Sequence, residues 1–228
     1  MRTNNKITLR VGSYNIKAGS LVGFDMSKLA AEIESHRLEI VGLQEVDHGT
    51  ARSGGIDTMK LLAGAAVYGH YKFARAIYYR GGEYGTGILS RYPIASFEVI
   101  PLYSGSAEGR SVGHAVVEAN GASIDFFNTH LSYESAELRR VQFAKLAELT
   151  KKCGTYVLTG DFNTAECREF SVFENSILVN INTYPTFPSS CRGIDNIVLS
   201  DNWRLTASGM GAPGNSDHNL LWAEIELL

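Results

Sequence analysis

The chain has 228 residues, 44% of them hydrophobic and 20% charged, with a formal net charge of −3. This length allows one large domain or two small ones, and the composition is typical of a soluble globular protein. A non-specific DNA-binding surface needs clustered Lys and Arg. The basic pairs Lys151-Lys152 and Arg139-Arg140 are too short to indicate one. A local basic groove remains compatible with this charge, because net charge says little about one face.

The sequence gives no sign of a membrane span, a leader peptide or a disulfide framework. No segment approaches the ~20 apolar residues that cross a bilayer, and the start, MRTNNKITLR, lacks an apolar stretch of signal-peptide type. We therefore expect a cytoplasmic protein, or a secreted one whose export signal has been removed. The cysteines, Cys153, Cys167 and Cys191, form no CxxC pair, which argues against disulfides and a structural zinc site.

Strands and helices alternate through the first half of the chain. Apolar runs predict strands, and Asp or Ser before a periodic segment predicts the start of a helix. The predicted elements are a strand over 8–14, a helix from Asp25 or Ser27 to about His36, a strand over 40–43 closed by Gln44-Glu45, a helix after Asp57 to Ala66, a strand over 71–79, a loop over 80–85 and a strand over 87–90.

The second half begins with strands and then changes to a helical period. Asn120-Gly121 is a strong hairpin signal between two of the strands. Leu138, Val141 and Leu149 share one helical face, with Leu146 at its edge. The predicted elements are strands over 97–102, 112–119 and 123–128, a helix over 134–152, a strand over 155–159, a short helix over 165–175 and strands over 194–199 and 220–228. No repeat or long linker is present, so we predict a single layered α/β domain over 1–228.

Asn, Asp, Glu and His recur where predicted strands end or begin. One such residue is usually a turn or surface residue, but six clusters are hard to explain by turns alone. The clusters are Asn15, Glu45, Asn128-Thr129-His130, Asp161 with Asn163, Asp195, and Ser216-Asp217-His218. Strand ends on one side of a layered fold are where sites are built. We therefore expect these side chains to converge in one pocket.

The residue types in these clusters indicate metal-assisted chemistry. Carboxylate and amide oxygens suit a hard cation, Mg²⁺ or Mn²⁺, and no thiolate accompanies them. A His beside an Asp suits an acid–base group whose tautomer is fixed by a carboxylate. Together they point to hydrolysis of a phosphate ester.

Six motifs in order, SYNIK, LQEV, NTHL, GDFN, GIDNIVLS and SDHN, resemble the endonuclease/exonuclease/phosphatase superfamily. That group includes DNase I, exonuclease III, neutral sphingomyelinases and inositol-polyphosphate 5-phosphatases. The resemblance extends from about Ile7 to Leu227. It implies a DNase I-like four-layer α/β/β/α sandwich, in which two mixed β-sheets pack face to face with helices on both outer faces.

The resemblance implies a metal site and a water site. Glu45 in LQEV resembles the main metal-binding carboxylate, and Asn15 in SYNIK is similar to its neighbour there. Asp217 in SDHN resembles a further acid on the metal side. Asp161 and Asn163 in GDFN are expected to position the attacking water and the phosphate.

Phosphate contacts and their supporting groups are implied in the same way. His218 resembles the general base, or at least the imidazole that contacts the phosphate, and Asp195 in GIDNI is expected to orient it. His130 in NTHL resembles a second phosphate-contacting histidine. Glu83, in the Gly-rich stretch GGEYG, is expected to hydrogen-bond a ring nitrogen of His130. Arg110, in a looser GRS match, is expected to contact phosphate.

Two classes of function remain open, an enzyme and a catalytically silent scaffold of the same fold. All the core positions are filled, which favours a Mg²⁺-dependent phosphodiesterase or phosphomonoesterase. Three kinds of substrate remain open for such an enzyme: a nucleic acid, a lipid headgroup or a small molecule. The nucleic-acid alternative corresponds to a nuclease on DNA or RNA or to an abasic-site endonuclease. SYNIKAGS lacks the opening motif of the exonuclease III type, and no long basic stretch of the phosphoinositide-phosphatase type follows GDFN.

Aromatic residues near the motifs suit contact with a nucleic-acid base or a lipid, and they suit packing in the core equally well. The candidates are Tyr78, Tyr79, Tyr84 and Tyr103. The sequence indicates no stable protein partner.

Overall fold

Two six-stranded sheets form the protein in the computed structural model, which describes residues 6–228. The strands are β1 (Thr8–Asn15), β2 (Ile40–His48), β3 (His70–Tyr79), β4 (Gly82–Ser90), β5 (Ile94–Leu102), β6 (Arg110–Ala119), β7 (Ala122–His130), β8 (Tyr156–Asp161), β9 (Ile177–Leu178), β10 (Asp195–Leu199), β11 (Trp203–Met210) and β12 (Leu221–Leu227). The α-helices are α1 (Met26–Ser35), α2 (Thr58–Ala65) and α3 (Ala136–Thr150), with short 3₁₀ helices at Lys17–Val22, Ala51–Ser53, Cys167–Val172 and Pro188–Ser190. The predictions about a leader peptide and about a domain over 1–228 fall partly on residues 1–5, outside the described residues.

Three apolar clusters separate the layers of the fold. The sheets have the strand orders β11-β12-β1-β2-β4-β3 and β5-β6-β7-β8-β10-β9. One cluster joins α1 and α2 to the first sheet, a second lies between the sheets, and a third packs α3 and a group of phenylalanines on the second sheet. The predicted four-layer α/β/β/α sandwich with two mixed sheets is confirmed. Among residues 6–228, no helix has the length and apolarity that a membrane span requires.

Each sheet contains one parallel pair, and these pairs position the polar strand ends. β1 runs parallel to β2, and β7 runs parallel to β8, whereas the other pairs in both sheets are antiparallel. Parallel neighbours end at the same edge of a sheet. Asn15 therefore ends β1 beside Gln44, and His130 ends β7 directly opposite Asp161 at the end of β8.

The helix starts follow the expected capping chemistry. The carboxylate of Asp25 accepts from the backbone N–H of Ser27 at the start of α1, and Asp57 caps α2 in the same way. The apolar face predicted for α3 is wrong in part. Val141 is 36% exposed, whereas Leu146, expected at the edge of that face, is buried together with Gln142 and Phe143.

Two predictions about the strands are wrong. The expected loop over 80–85 is a hairpin, in which only Arg80 and Gly81 separate β3 from β4, with φ of 45° and 81°. Positive φ at both turn residues suits the twist of a two-residue hairpin. The strands β9 and β11 were not predicted, since β9 has two residues and β11 carries the polar, weakly alternating sequence WRLTASGM.

Asn128, part of one predicted strand-end cluster, fixes the two sheets together. Its side-chain N–H groups donate to the carbonyls of Leu43 and Gly87, both at 2.8 Å. Its oxygen accepts from Gln44 Nε2 at 2.6 Å and from Thr159 Oγ1 at 3.1 Å. The side chain is fully buried, so these bonds have no exchange with water and Asn128 is structural.

Asn128→Ala is therefore expected to lower the free energy of unfolding by at least about 3 kcal/mol, because each buried group left unpaired costs about 1–3 kcal/mol. Urea unfolding followed by circular dichroism measures it. Ser123→Ala, at an exposed position of the same strand, is the control and should change stability by less than about 0.5 kcal/mol. Equal stability of the two variants would contradict the role given to Asn128.

Candidate active site

Glu45 lies at a β-bulge rather than at the end of its strand. β2 continues past Glu45 to His48, and the register with β4 slips between Leu43 and Val46. Glu45 itself has φ of 54°, an uncommon value for a residue with a side chain. Bulges re-aim side chains beside functional sites. Here the bulge turns the Glu45 carboxylate into a cavity at the edge of both sheets.

Three titratable residues occupy adjacent positions at the end of the second sheet. His130 on β7 is opposite Asp161 on β8, which is opposite Asp195 on β10. The Nε2 atoms of His130 and of His218 lie 3.5 and 3.6 Å from Asp161 Oδ2. His218 precedes β12 of the first sheet, so this contact spans the two sheets.

Asn15 connects the carboxylates of the two sheets. Its amide nitrogen donates to Glu45 Oε1 at 3.1 Å and to Asp161 Oδ2 at 2.9 Å. Its oxygen accepts from the backbone N–H of Lys17 at 3.1 Å. Asn15 thus positions two acids, and its own side chain is held by the backbone of Lys17.

The imidazole of His218 is held by Asp195. Its Nδ1 lies 2.8 Å from Asp195 Oδ2, and Asp195 is fully buried. Burial alone would lower the pKa of His218, but the charges of Asp195, Asp161 and Asp217 and the Asp195 hydrogen bond outweigh burial and raise that pKa to about 10. His218 is therefore an imidazolium at neutral pH.

The pKa values of Asp161 and His130 are shifted in opposite directions. Burial, together with the charge of Asp195, raises the pKa of Asp161, and contacts with His218 and Asn15 oppose this. Burial and the nearby cations Arg110 and His218 lower the pKa of His130 well below its usual range. His130 is therefore a neutral imidazole beside a cationic one.

Sixteen residues from both sheets line a cavity of about 440 Å³ at this edge. It is lined by acids and histidines together with arginines and aromatic rings. The lining residues are Glu45, Arg52, Ile77, Tyr79, Tyr84, Glu108, Arg110, His130, Tyr133, Asp161, Asn163, Phe187, Arg192, Ile194, Asp217 and His218. The structure thus brings together the predicted site residues except Glu83. Asn15 and Asp195 do not line the cavity themselves but hydrogen-bond to residues that do.

The donor set of the inner cavity fits a hard divalent cation. Burial raises the pKa of Glu45, and the neighbouring charge of Asp217 raises it further, although the Asn15 bond opposes this. Such crowding of carboxylates is relieved by a cation, and their oxygens suit Mg²⁺. Asp161, Asp195 and His218 also lie within 4.8 Å of one another. Because both ring nitrogens of His218 already face carboxylates, Glu45 and Asp217 are the better candidates.

The hydrogen bond predicted between Glu83 and His130 is wrong. Glu83 belongs to β4, opposite Tyr78, and its carboxylate accepts from Arg75 Nη1 at 2.8 Å. His130 Nε2 faces Asp161, and its buried Nδ1 has no hydrogen-bond partner among the described residues. The reason is the hairpin, because a paired strand residue cannot bend toward the cavity as a residue of a Gly-rich loop can.

Arg110, for which the sequence predicted a phosphate contact, is buried and lines the cavity. Its guanidinium lies 2.8 Å from the carboxylate of Glu108, and its backbone N–H donates to Ser104 Oγ. Its placement allows a contact with phosphate.

Sequence reasoning missed two arginines that line the cavity, Arg52 and Arg192. Arg52 forms two hydrogen bonds, of 2.8 and 2.7 Å, with fully buried Asp47, and its Cζ lies 4.8 Å from the Tyr79 ring centroid and 5.4 Å from that of Tyr84. Arg192 projects from the loop that also carries Phe187. No motif marked these positions, although Asp47 directly follows LQEV and Arg52 comes five residues later.

Two of the predicted aromatic candidates, Tyr79 and Tyr84, line the cavity. Tyr78 and Tyr103 are 74% and 65% exposed and are not among its lining residues. Tyr133 does line it and was missed.

Comparison with known proteins agrees with this arrangement. The model of the endonuclease/exonuclease/phosphatase family matches residues 12–218, whereas no curated protein sequence matches the chain. Similar solved structures include an endonuclease/exonuclease/phosphatase from Beutenbergia cavernae DSM 12333, with 20% identity, TM-score 0.86 and coverage of 97% of this chain and 72% of that one. The mannosyl-6-phosphatase of Bacteroides thetaiotaomicron VPI-5482 has 20% identity, TM-score 0.69 and coverage of 95% and 99%. D. rerio TDP2, complexed with a single-strand DNA product, has 17% identity, TM-score 0.74 and coverage of 96% and 98%. At these identities the structures share the fold.

Proposed function

The chain belongs to the endonuclease/exonuclease/phosphatase family, and we propose that it is a Mg²⁺-dependent hydrolase of compact phosphate esters. Members of the family are phosphoester hydrolases and generally depend on a divalent metal ion, so the reaction class follows from membership. The metal and the substrate are our proposal. The observation that carries it is the convergence of Glu45, Asp161, Asp217 and His218 in one cavity.

Glu45 and Asp217 are proposed to hold the cation, with Asn15 keeping Glu45 in place. The cation, when bound, supplies positive charge to the phosphate oxygens, where negative charge grows during the reaction. Lys17 Nζ lies 2.6 Å from Asp217 Oδ2, which limits the movement of this second acid. Mn²⁺ satisfies the same oxygen donors.

The remaining groups act on the attacking water and the phosphate. Asp161 is fixed by Asn15 and by the backbone N–H of Asn163, which donates to Oδ1 at 2.9 Å. Its raised pKa suits a carboxylate that takes a proton from water. An imidazolium cannot accept that proton, so His218 serves as the phosphate contact, one of its two roles implied by the resemblance, and neutral His130 is the second contact.

The shape of the cavity favours a compact organic group on the phosphate. A volume of about 440 Å³ is in the range of small-molecule sites. Tyr79, Tyr84, Tyr133 and Phe187 provide ring faces, and the Phe187 centroid lies 4.8 Å from that of His218. A single-stranded nucleic acid end is the second candidate, favoured by the same rings because bases stack on aromatic side chains.

A substrate panel with Mg²⁺ tests this proposal. It contains bis-p-nitrophenyl phosphate, p-nitrophenyl phosphate, sugar phosphates, short single strands, plasmid DNA, an abasic duplex, phosphoinositides and sphingomyelin. We expect turnover of small esters or single-strand ends and none of intact plasmid. Efficient nicking of plasmid DNA would contradict the compact substrate, and no hydrolysis of any ester would contradict the reaction.

Arg52→Lys is expected to raise KM by about 10–100-fold with a smaller change in kcat. Lysine keeps the charge but loses the planar fork that Asp47 and the tyrosine rings hold in place, and losing one charge-assisted hydrogen bond to substrate costs about 1.5–3 kcal/mol. Steady-state kinetics on the best panel substrate measures it. Arg80→Lys is the matched control, because Arg80 also lies over Tyr79, at 5.3 Å, but outside the cavity. An unchanged KM in Arg52→Lys would show that Arg52 stabilises the lining of the cavity but does not contact the substrate.

A further inference from the structure

A second group of metal-ligating side chains lies outside the catalytic cavity, on the outer face of the second sheet. His114 on β6, Asp125 on β7 and Cys153, just after α3, have ligand atoms that all lie within 4.8 Å of one another. A fourth residue, Glu98 on β5, is directly opposite His114 in the sheet. None of these residues belongs to the motifs or to the cavity described above.

The two nitrogens of His114 have different partners. Nδ1 lies 3.1 Å from Glu98 Oε1, and Nε2 lies 2.6 Å from Asp125 Oδ1. The ring also stacks on Phe127, with centroids 4.1 Å apart and planes 11° apart, which fixes its orientation. A carboxylate on one nitrogen of a histidine whose other nitrogen faces the ligand atoms is the usual support of a metal-binding histidine.

We propose that His114, Asp125 and Cys153 bind a zinc-class divalent cation, with Glu98 as the carboxylate that orients His114. Nitrogen, oxygen and sulfur from three side chains form the protein part of a four-coordinate site, and water completes it. The thiolate separates this site from the catalytic one, because sulfur favours zinc-like ions over Mg²⁺. The expectation from the sequence that no zinc site exists rested on the lack of paired cysteines, whereas these ligands come from three separate elements.

Cys153 is a free cysteine, and burial together with the charge of Asp125 raises the pKa of its thiol to about 12. On metal binding Cys153 releases its thiol proton, and His114 binds through Nε2 as a neutral imidazole. The thiol proton passes to solvent.

The site would tie the end of α3 to the sheet. Cys153 follows Thr150, the last residue of α3, and its backbone N–H donates to the Thr150 carbonyl. A metal bound here therefore holds the end of α3 on β6 and β7. Because a ligand that binds the folded state alone stabilises it, zinc is expected to raise the Tm of the full chain whether or not the enzyme is active.

Cobalt(II) provides the most direct test, because a cobalt–thiolate bond gives a charge-transfer absorption band that carboxylate ligands do not give. The full chain, reduced and freed of metal by a chelator, is titrated with Co²⁺ alone. We expect the band in the wild type and in the control variant Cys167→Ser/Cys191→Ser, which keeps only Cys153, and its loss in Cys153→Ser. Cys167 and Cys191 are exposed and lie elsewhere.

Glu98→Gln provides the second variant, because it leaves all three ligands and removes only the support of His114. Its affinity for Co²⁺ and Zn²⁺ is expected to fall by about 10–100-fold, with a wild-type circular dichroism spectrum. The proposal is overturned if the wild type shows no thiolate band, if Cys153→Ser retains it, or if Glu98→Gln binds as tightly as the wild type. In the first two cases the cluster is an ion-pair network of His114 between two carboxylates, and in the third Glu98 does not orient His114.

Discussion

Asp161→Asn is expected to lower kcat/KM by about 10²–10⁴-fold, the usual contribution of a positioned proton acceptor. The amide keeps the size of the side chain and can still bond Asn15 after a flip, but it cannot take a proton from water. Asp161 also provides the carboxylate oxygen that Asn15, His130 and His218 share. The loss is therefore expected in kcat more than in KM.

The measurement is steady-state hydrolysis of bis-p-nitrophenyl phosphate with saturating Mg²⁺. Asp201→Asn, at an exposed turn, is the matched control and should keep wild-type rates. A loss in Asp161→Asn smaller than about tenfold would remove Asp161 as the proton acceptor. Unfolding midpoints of both variants exclude a loss of fold as the cause.

His218→Ala is expected to cost at least about 10² in kcat/KM, because the cavity loses the cationic imidazole beside the phosphate position. Asp195→Asn should cost less, since Asp195 acts only through its 2.8 Å contact with His218 Nδ1. Residues that act as one unit are strongly non-additive. The double variant His218→Ala/Asp195→Asn should therefore be hardly slower than His218→Ala.

A double-mutant cycle on the same diester measures this coupling. If the two single losses multiply in the double variant, Asp195 and His218 do not work as a pair, and the positioning role of Asp195 is wrong. The stability of each variant is measured in parallel, because Asp195 is fully buried and its Oδ1 has no hydrogen-bond partner among the described residues.

The sheet layers and the inner site were predictable because their signals are local. Apolar runs marked most strands, and polar residues beside those runs marked Asn15, His130, Asp161 and Asp195. The parallel pairs then bring strand ends together without any information beyond strand order. For this reason residues separated by most of the chain could be expected in one pocket.

Features that depend on register or on long-range contacts were not predictable. Glu83 was misplaced because its stretch is rich in glycine, yet the turn is made by Arg80 and Gly81 alone. The bulge at Glu45 breaks the register with β4, which no local pattern indicated. Arg52 faces the cavity because buried Asp47 and two tyrosine rings from the neighbouring hairpin hold it there.

The polar residue Asn128 shows a further limit of sequence reasoning. It belongs to the same strand-end cluster as His130, and by residue type alone it suits the site equally well. Its side chain instead bonds two carbonyls of the opposite sheet. Whether an amide serves structure or chemistry is decided by which buried groups need partners.

The central claim is that a divalent cation held by Glu45 and its neighbours makes this cavity a phosphoester hydrolase, and metal removal tests it most directly. Hydrolysis of bis-p-nitrophenyl phosphate is followed in EDTA, then during titration with Mg²⁺, for the wild type and Glu45→Gln. We expect no activity in EDTA, recovery with Mg²⁺, and for Glu45→Gln a much higher Mg²⁺ requirement with an unchanged unfolding midpoint. Full wild-type activity in EDTA, or the same Mg²⁺ requirement in Glu45→Gln, would contradict it.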